Sequence, residues 1–147
     1  MCRDEGAHGG PGRQGVSVGY VESSALVKLA INEPEAPSLR QAIRSHDQLA
    51  TSELAFLEVG RAARRDDGDD GLARTRAVML PFVPVTIDRR ILEAAVGIDP
   101  TTLRSLDAIH VATALGLQMP DLVFYSYDQR TISAAEANGL TVASPGA

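Results

Sequence analysis

The sequence predicts an α/β domain with a mainly parallel sheet. Short β-type runs alternate with helix-length amphipathic segments from residue 16 to residue 143, the pattern of strands joined by helical crossovers. No internal repeat or linker breaks the alternation, so one domain with one core is expected over residues 16–145 of the 147. With 44% apolar residues, 22% charged and no Trp, that core must be mostly Ala, Leu, Val and Ile.

Residues 1–15 are rich in Gly and charge and are expected to form a flexible tail. Val16 to Val21 reads as the first strand and ends at Glu22. Ser23 or Ser24 is then placed to cap a helix through Ala25–Asn32, which Pro34 stops. Ser38–Ser45 is a second amphipathic helix and Gln48–Thr51 a short strand. Ser52 is the expected cap of a helix running to about Arg65, with Glu53 in its first turn, where a negative charge suits the dipole. The run DDGDDG at 66–71 predicts a solvated turn, and Leu72–Leu80 the next helix. Phe82–Ile87 is a strand with a proline near each end. Asp88 caps a helix to about Val96, and Ser105 opens one through Leu117. Asp121–Ser126 is a strand, Gln129–Asn138 a helix closed by Gly139, and Leu140–Ala143 a last strand.

The formal charge of −5 and pI of about 5.1 mean that the whole-molecule field opposes an encounter with nucleic acid. Bound cations or a local Arg patch would have to overcome it. Lys28 is the only Lys, and Cys2, the only Cys, excludes an intramolecular disulfide and favours a reducing compartment. The N-terminus has no apolar stretch of a secretory signal, and no apolar run approaches the ~20 residues that span a bilayer, so a cytoplasmic protein is expected.

Four acids sit in, or end, apolar segments: Glu22 in GYVESSALVKLAI, Glu58 in SELAFLEVGRAA, Asp107 in SLDAIHVATAL and Asp128 in LVFYSYDQRTI. Singly, each has an ordinary role. Asp107 suits a helix N-terminus, Asp128 a turn and N-cap, Glu58 an ion pair with Arg61 or Arg65, and Glu22 a strand end facing water. Jointly they suggest one shared partner, a hard divalent cation such as Mg²⁺. Glu22 and Asp128 both follow strands, where open α/β sheets build their sites. Arg61, Arg64 and Arg65 continue the Glu58 helix and are candidate phosphate contacts, unless Asp66 and Asp67 merely lace them into a solvated face. His110, three residues after Asp107, is expected to make a structural hydrogen bond, and Phe124, Tyr125 and Tyr127 to belong to the core.

The blocks VESSALVKL, SELAFLEVGRA, LRSLDAIHVATAL and FYSYDQRTISAAEANGLTV resemble, in order and spacing over about residues 17–144, those of PIN domains, and most of all VapC toxins of bacterial toxin–antitoxin modules. The resemblance implies a three-layer α/β/α fold with a sheet of four to five strands. It also implies an Mg²⁺- or Mn²⁺-dependent endoribonuclease leaving 5′-phosphate and 3′-hydroxyl ends. Carried over by position, Glu22, Glu58, Asp107 and Asp128 form the acidic metal centre, with Ser24 and Ser126 as supporting hydroxyls. A VapB-like antitoxin is implied as partner, beside the RNA substrate. The helices at Ala25–Asn32 and Ser38–Ser45 offer apolar faces to that partner or to a homodimer.

One departure is visible. The family's first acid is normally Asp, and this chain has Glu22, whose oxygens reach roughly 1–1.5 Å further while Mg²⁺ demands a near-ideal octahedron. Retained activity is expected, since charge and denticity survive. The alternative is a catalytically weak scaffold that binds RNA or protein without cutting. A receiver-type phosphoacceptor is excluded because no Lys follows Lys28, and an Asp-nucleophile phosphatase because the first strand ends in Glu22-Ser23-Ser24.

Overall fold

The computed structural model describes residues 15–147. The expected flexible tail thus falls, but for Gly15, outside the described residues. In chain order the elements are β1 (Val18–Val21), α1 (Ser23–Ala30), α2 (Ala36–Ile43), β2 (Gln48–Ser52), α3 (Leu54–Met79), β3 (Phe82–Val85), α4 (Arg89–Val96), α5 (Ser105–Gly116), β4 (Val123–Tyr125), α6 (Gln129–Ala137) and β5 (Thr141–Ala143). The five strands form one sheet in the order β3-β2-β1-β4-β5, and every neighbouring pair is parallel.

The strand letters explain the order. VGYV of β1 is buried at all four positions, as a central strand covered on both faces must be. FVPV of β3 carries Pro84, which lacks an N–H and is tolerated at the sheet margin. Alternation along β1 and β4 sends Tyr20 and Phe124 to one face and Val21 and Tyr125 to the other. The chain therefore has two hydrophobic clusters where one core was expected. One joins Val21 and Tyr125 to Leu26, Leu29, Leu39 and Val59 of α1, α2 and α3. The other joins Tyr20 and Phe124, their rings stacked at 5.4 Å, to Val111 of α5 and Ala135 of α6. A sheet roofed on both faces cannot have a single contiguous core.

The break expected over 66–71 shrinks to two residues. α3 runs for 26 residues, and only Asp67 and Gly68 leave helical backbone angles. Gly68 takes φ +56°, ψ −137°, a conformation open essentially to glycine alone. The second arm then folds back until Gly71 lies against the Ala63 carbonyl. Arg74 secures that arm, with Nε donating to Ala30 O at 2.8 Å and Nη1 to Asp67 at 3.0 Å.

The apolar faces of α1 and α2, expected to be offered to a partner, are instead taken up by the core. Ala25, Leu26, Leu29 and Ala30 of α1, and Ala36, Leu39 and Ile43 of α2, are consumed by the core. Exposed large apolar residues lie elsewhere, among them Leu57 and Leu106, each directly before a candidate acid. No helix among the described residues is long and apolar enough to cross a membrane.

Candidate active site

All five strands point the same way, so their carboxyl ends share one edge. The chain order reverses between β1 and β4, the pair from which the sheet grows in both directions. A crevice is expected at that switch point, and Glu22 follows β1 while Ser126 and Asp128 follow β4.

Glu22 is buried, 3% exposed, and does not face water. Neither Ser23 nor Ser24 caps α1; Glu22 does, with extended backbone angles and its side chain turned back on its own helix. Ser24 donates its N–H to Oε1 at 2.5 Å and its hydroxyl to Oε2 at 2.5 Å, and the Ser126 hydroxyl also donates to Oε2. Ser24 Oγ and Ser126 Oγ also accept from the backbone of Tyr127 (2.9 Å) and Asp128 (3.2 Å). The two hydroxyls thus tie the end of β1 to the loop after β4. Burial raises the Glu22 carboxyl above its ordinary pKa, although neighbouring His110 and the serine hydrogen bonds pull the other way.

Glu58 does not pair with Arg61 or Arg65. Its Oε1 accepts from the Ser23 hydroxyl and contacts His110 Nε2 at 2.9 Å. His110 is 1% exposed and reaches Tyr20 OH through Nδ1 at 2.8 Å. Burial works to raise the Glu58 carboxyl, but the His110 and Ser23 hydrogen bonds, with the charges of His110 and Arg104, outweigh it and hold it below its usual value. His110 therefore fixes the rotamer of Glu58 from inside the helix layer.

Asp107 lies in the first turn of α5, and Asp128 caps α6 through Arg130 N at 3.2 Å. Both carboxylates converge on Arg104. Its Nε donates to Asp107 Oδ2 at 2.9 Å and its Nη2 to Asp128 Oδ2 at 3.1 Å. The two acids hold the guanidinium pKa up, Asp107 most. Arg104 and Tyr20 were not singled out from the sequence, and Ser23 was singled out only as a helix cap, not as a partner of Glu58. For Arg104 the available signal was its i, i+3 spacing to Asp107 across a helix start.

Asp107 and Asp128 are thus brought onto one positive charge. Glu22 is linked to the same loop through Ser126, and Glu58 stands beside α1 through Ser23. Arg61, Arg64 and Arg65 are exposed and line a separate pocket of about 440 Å³ with Gly68 and Asp69. They make no ion pair among the described residues, and Asp67 pairs with Arg74 instead. Phe124 and Tyr125 are core residues, as expected, and Tyr127 is half-buried with its hydroxyl donating to Pro145 O at 2.6 Å.

For the divalent cation that the family resemblance implies, the donors are right in kind, being carboxylate and hydroxyl oxygens. They are right in aim at Asp107 and Asp128, which already share one cationic group. Among the described residues, no three Asp, Glu, His or Cys side chains are drawn into a cage around one point. Also among the described residues, Glu22 is a buried acid with no ion-pair partner.

Burial of Glu22 carries a stability consequence. In EDTA, Glu22→Gln is expected to raise the melting temperature, by about 2–4 °C per kcal/mol of charge burial removed in a domain of this size. An acid whose folded pKa is raised binds its proton more tightly in the folded state. Its penalty is absent below the unfolded value of ~4.3, grows as pH rises towards the folded value, and is constant above it. The melting difference between variant and wild type should grow with pH in that sense. A variant less stable than wild type at pH 8 would contradict it.

The PIN domain family profile matches residues 19–137. Over 128 residues the chain is 40% identical to "Ribonuclease VapC46" of Mycobacterium tuberculosis, covering 86% of this chain and 96% of that protein. It is 37% identical over 134 residues to "Ribonuclease VapC47" of the same species, covering 87% and 97%. Among solved structures, M. tuberculosis VapC20, described as a Sarcin-Ricin loop cleaving toxin, superposes with a TM-score of 0.69 at 16% identity, over 86% of this chain and 99% of that one. A toxin–antitoxin complex from Klebsiella pneumoniae gives 0.64 at 21% identity, over 86% and 97%. At such identities the two structures speak for the fold alone.

Proposed function

The chain belongs to the PIN-domain family, and from that premise we propose that it is a divalent-metal-dependent endoribonuclease, the toxin of a toxin–antitoxin pair. The observation that supports this best is the meeting of Asp107 and Asp128, from separate elements, on one cation at the β1/β4 switch point.

Asp107 and Asp128 would hold the metal, Mg²⁺ or Mn²⁺, with Glu22 and Glu58 completing the negative field. When bound, such an ion acidifies water and offsets charge on the phosphodiester oxygens in the transition state. The chain's own residues supply the rest. Ser24 and Ser126 fix Glu22 from two sides, so its carboxylate costs little reorganisation during reaction. Ser23 and His110 fix Glu58, and the depressed pKa of Glu58 keeps it ionised. One of these carboxylates takes the proton of the attacking water. Arg61, Arg64 and Arg65 contact phosphates away from the scissile bond. A VapB-like antitoxin covers the acidic edge, where Leu57 and Leu106 add exposed apolar surface. The protein works in the cytoplasm, as a homodimer.

The test is RNA cleavage by the purified chain with end mapping. Cleavage in Mg²⁺ or Mn²⁺, 5′-phosphate ends and complete loss in EDTA are expected. No cleavage with either metal, or undiminished cleavage in EDTA, would reject the reading.

A further inference from the structure

We propose that Arg104 is a built-in occupant of the metal position, held between Asp107 and Asp128 in the metal-free protein and handed to RNA phosphate when a divalent cation displaces it. This rests on the function proposed above and names a positioning residue for it.

Two carboxylates whose Oδ2 atoms lie 2.9 and 3.1 Å from one guanidinium are close enough to repel each other when no cation is present. Arg104 relieves that repulsion and keeps the pair aimed at a common point. It approaches from the solvent side, its side chain 66% exposed against 15% for Asp107 and 27% for Asp128. Its backbone is fixed, because it is the N-cap residue of α5 and its carbonyl accepts from Ala108 N at 2.9 Å. The side chain can therefore leave without disturbing the helix. Only Nε and Nη2 are engaged among the described residues, so Nη1 is open for a further acceptor.

A divalent ion on the same oxygens repels the guanidinium outward, to the mouth of the crevice. An incoming phosphodiester is the anion available there, and Arg matches phosphate oxygens in bidentate geometry. Metal and Arg104 are thus alternatives at the carboxylates, whereas metal and phosphate are cooperative.

The test compares Arg104→Gln and Arg104→Lys with wild type, using the full chain. Free Mn²⁺ followed by electron paramagnetic resonance gives metal affinity without reference to activity. Mn²⁺ is expected to bind about two- to fivefold more tightly to Arg104→Gln, the scale set by an exposed competing ion pair of up to ~1 kcal/mol. The KM for RNA should rise several-fold while kcat changes little, and the salt dependence of kcat/KM should lose about one unit of slope. Arg104→Lys should recover part of both effects. Unchanged or weaker Mn²⁺ binding by Arg104→Gln overturns the proposal, and so does an unchanged KM. If wild type binds Mn²⁺ and cleaves RNA while Arg104→Gln matches it, this inference alone falls. If wild type binds no Mn²⁺, the metal-dependent reading falls and takes this one with it.

Discussion

Replacing Asp107 or Asp128 with Asn is expected to lower RNA cleavage by about 10²–10³-fold or more, the scale of losing one preorganised electrostatic group at a reacting centre. The change is nearly isosteric and removes one negative charge of the two that meet at Arg104. The fold should be spared. Asn is as good an N-cap as Asp, so position 128 keeps its hydrogen bond to Arg130 N. Asp107 pairs with an Arg that is 66% exposed, and a solvated pair of that kind contributes less than ~1 kcal/mol. Circular dichroism and melting should therefore match wild type while single-turnover cleavage collapses. Either variant cutting at the wild-type rate would show that the pair does not hold the catalytic ion.

Gly71→Ala is expected to be the most damaging single methyl in the chain. A Cβ there would lie 2.0 Å from the Ala63 carbonyl oxygen and 2.6 Å from its carbon. Both are backbone atoms and cannot swing aside, so the two arms of α3 must separate. Overpacking usually costs ~1–3 kcal/mol, and forced movement of helix backbone goes beyond that. Against a typical total of ~5–15 kcal/mol, much of the protein should be insoluble or unfolded at 37 °C. Gly68→Ala is the control. Nothing lies within 4 Å of its added carbon, so it meets only the unfavourable backbone conformation, about 1–3 kcal/mol. Urea melts and soluble yield distinguish them, with Gly71→Ala well below Gly68→Ala. Equal midpoints for the two would refute the close crossing at Ala63.

The two glycines show why some of the architecture was readable in the letters and some was not. Period-two and helical patterning located all five strands and, with α3 read as two segments, the helices to within a few residues, most plainly at β1, which is buried throughout. The cap at Asp88 was also readable, its Oδ1 accepting from Ile91 N at 3.0 Å. DDGDDG looked like any solvated turn, since composition reports polarity and not the angle at which a chain returns. The α1 cap was misassigned to serine because capping preferences are local, whereas Glu22 owes its position to Ser126, 104 residues away.

The four acids stood out because carboxylates are rare in apolar runs. The structure adds how they are held: Glu22 by two serines, Glu58 by Ser23 and His110, and the aspartates by Arg104. Those holders come from ordinary residue types. In a chain whose basic residues are nearly all Arg, only the i, i+3 spacing to Asp107 marks Arg104 before its partners are known.

The Ser24–Glu22–Ser126 clasp sits on the seam between β1 and β4, the one ladder joining the two halves of the sheet. Cells escaping a poisonous enzyme by mutation can blunt its chemistry or dismantle its scaffold. On the function proposed above, a single lesion at this seam would do both, so survivors altered at residue 24 or 126 would be low in abundance as well as harmless. On the same reading, survivors altered at residue 107 would accumulate as intact, inert protein, still able to occupy the proposed antitoxin.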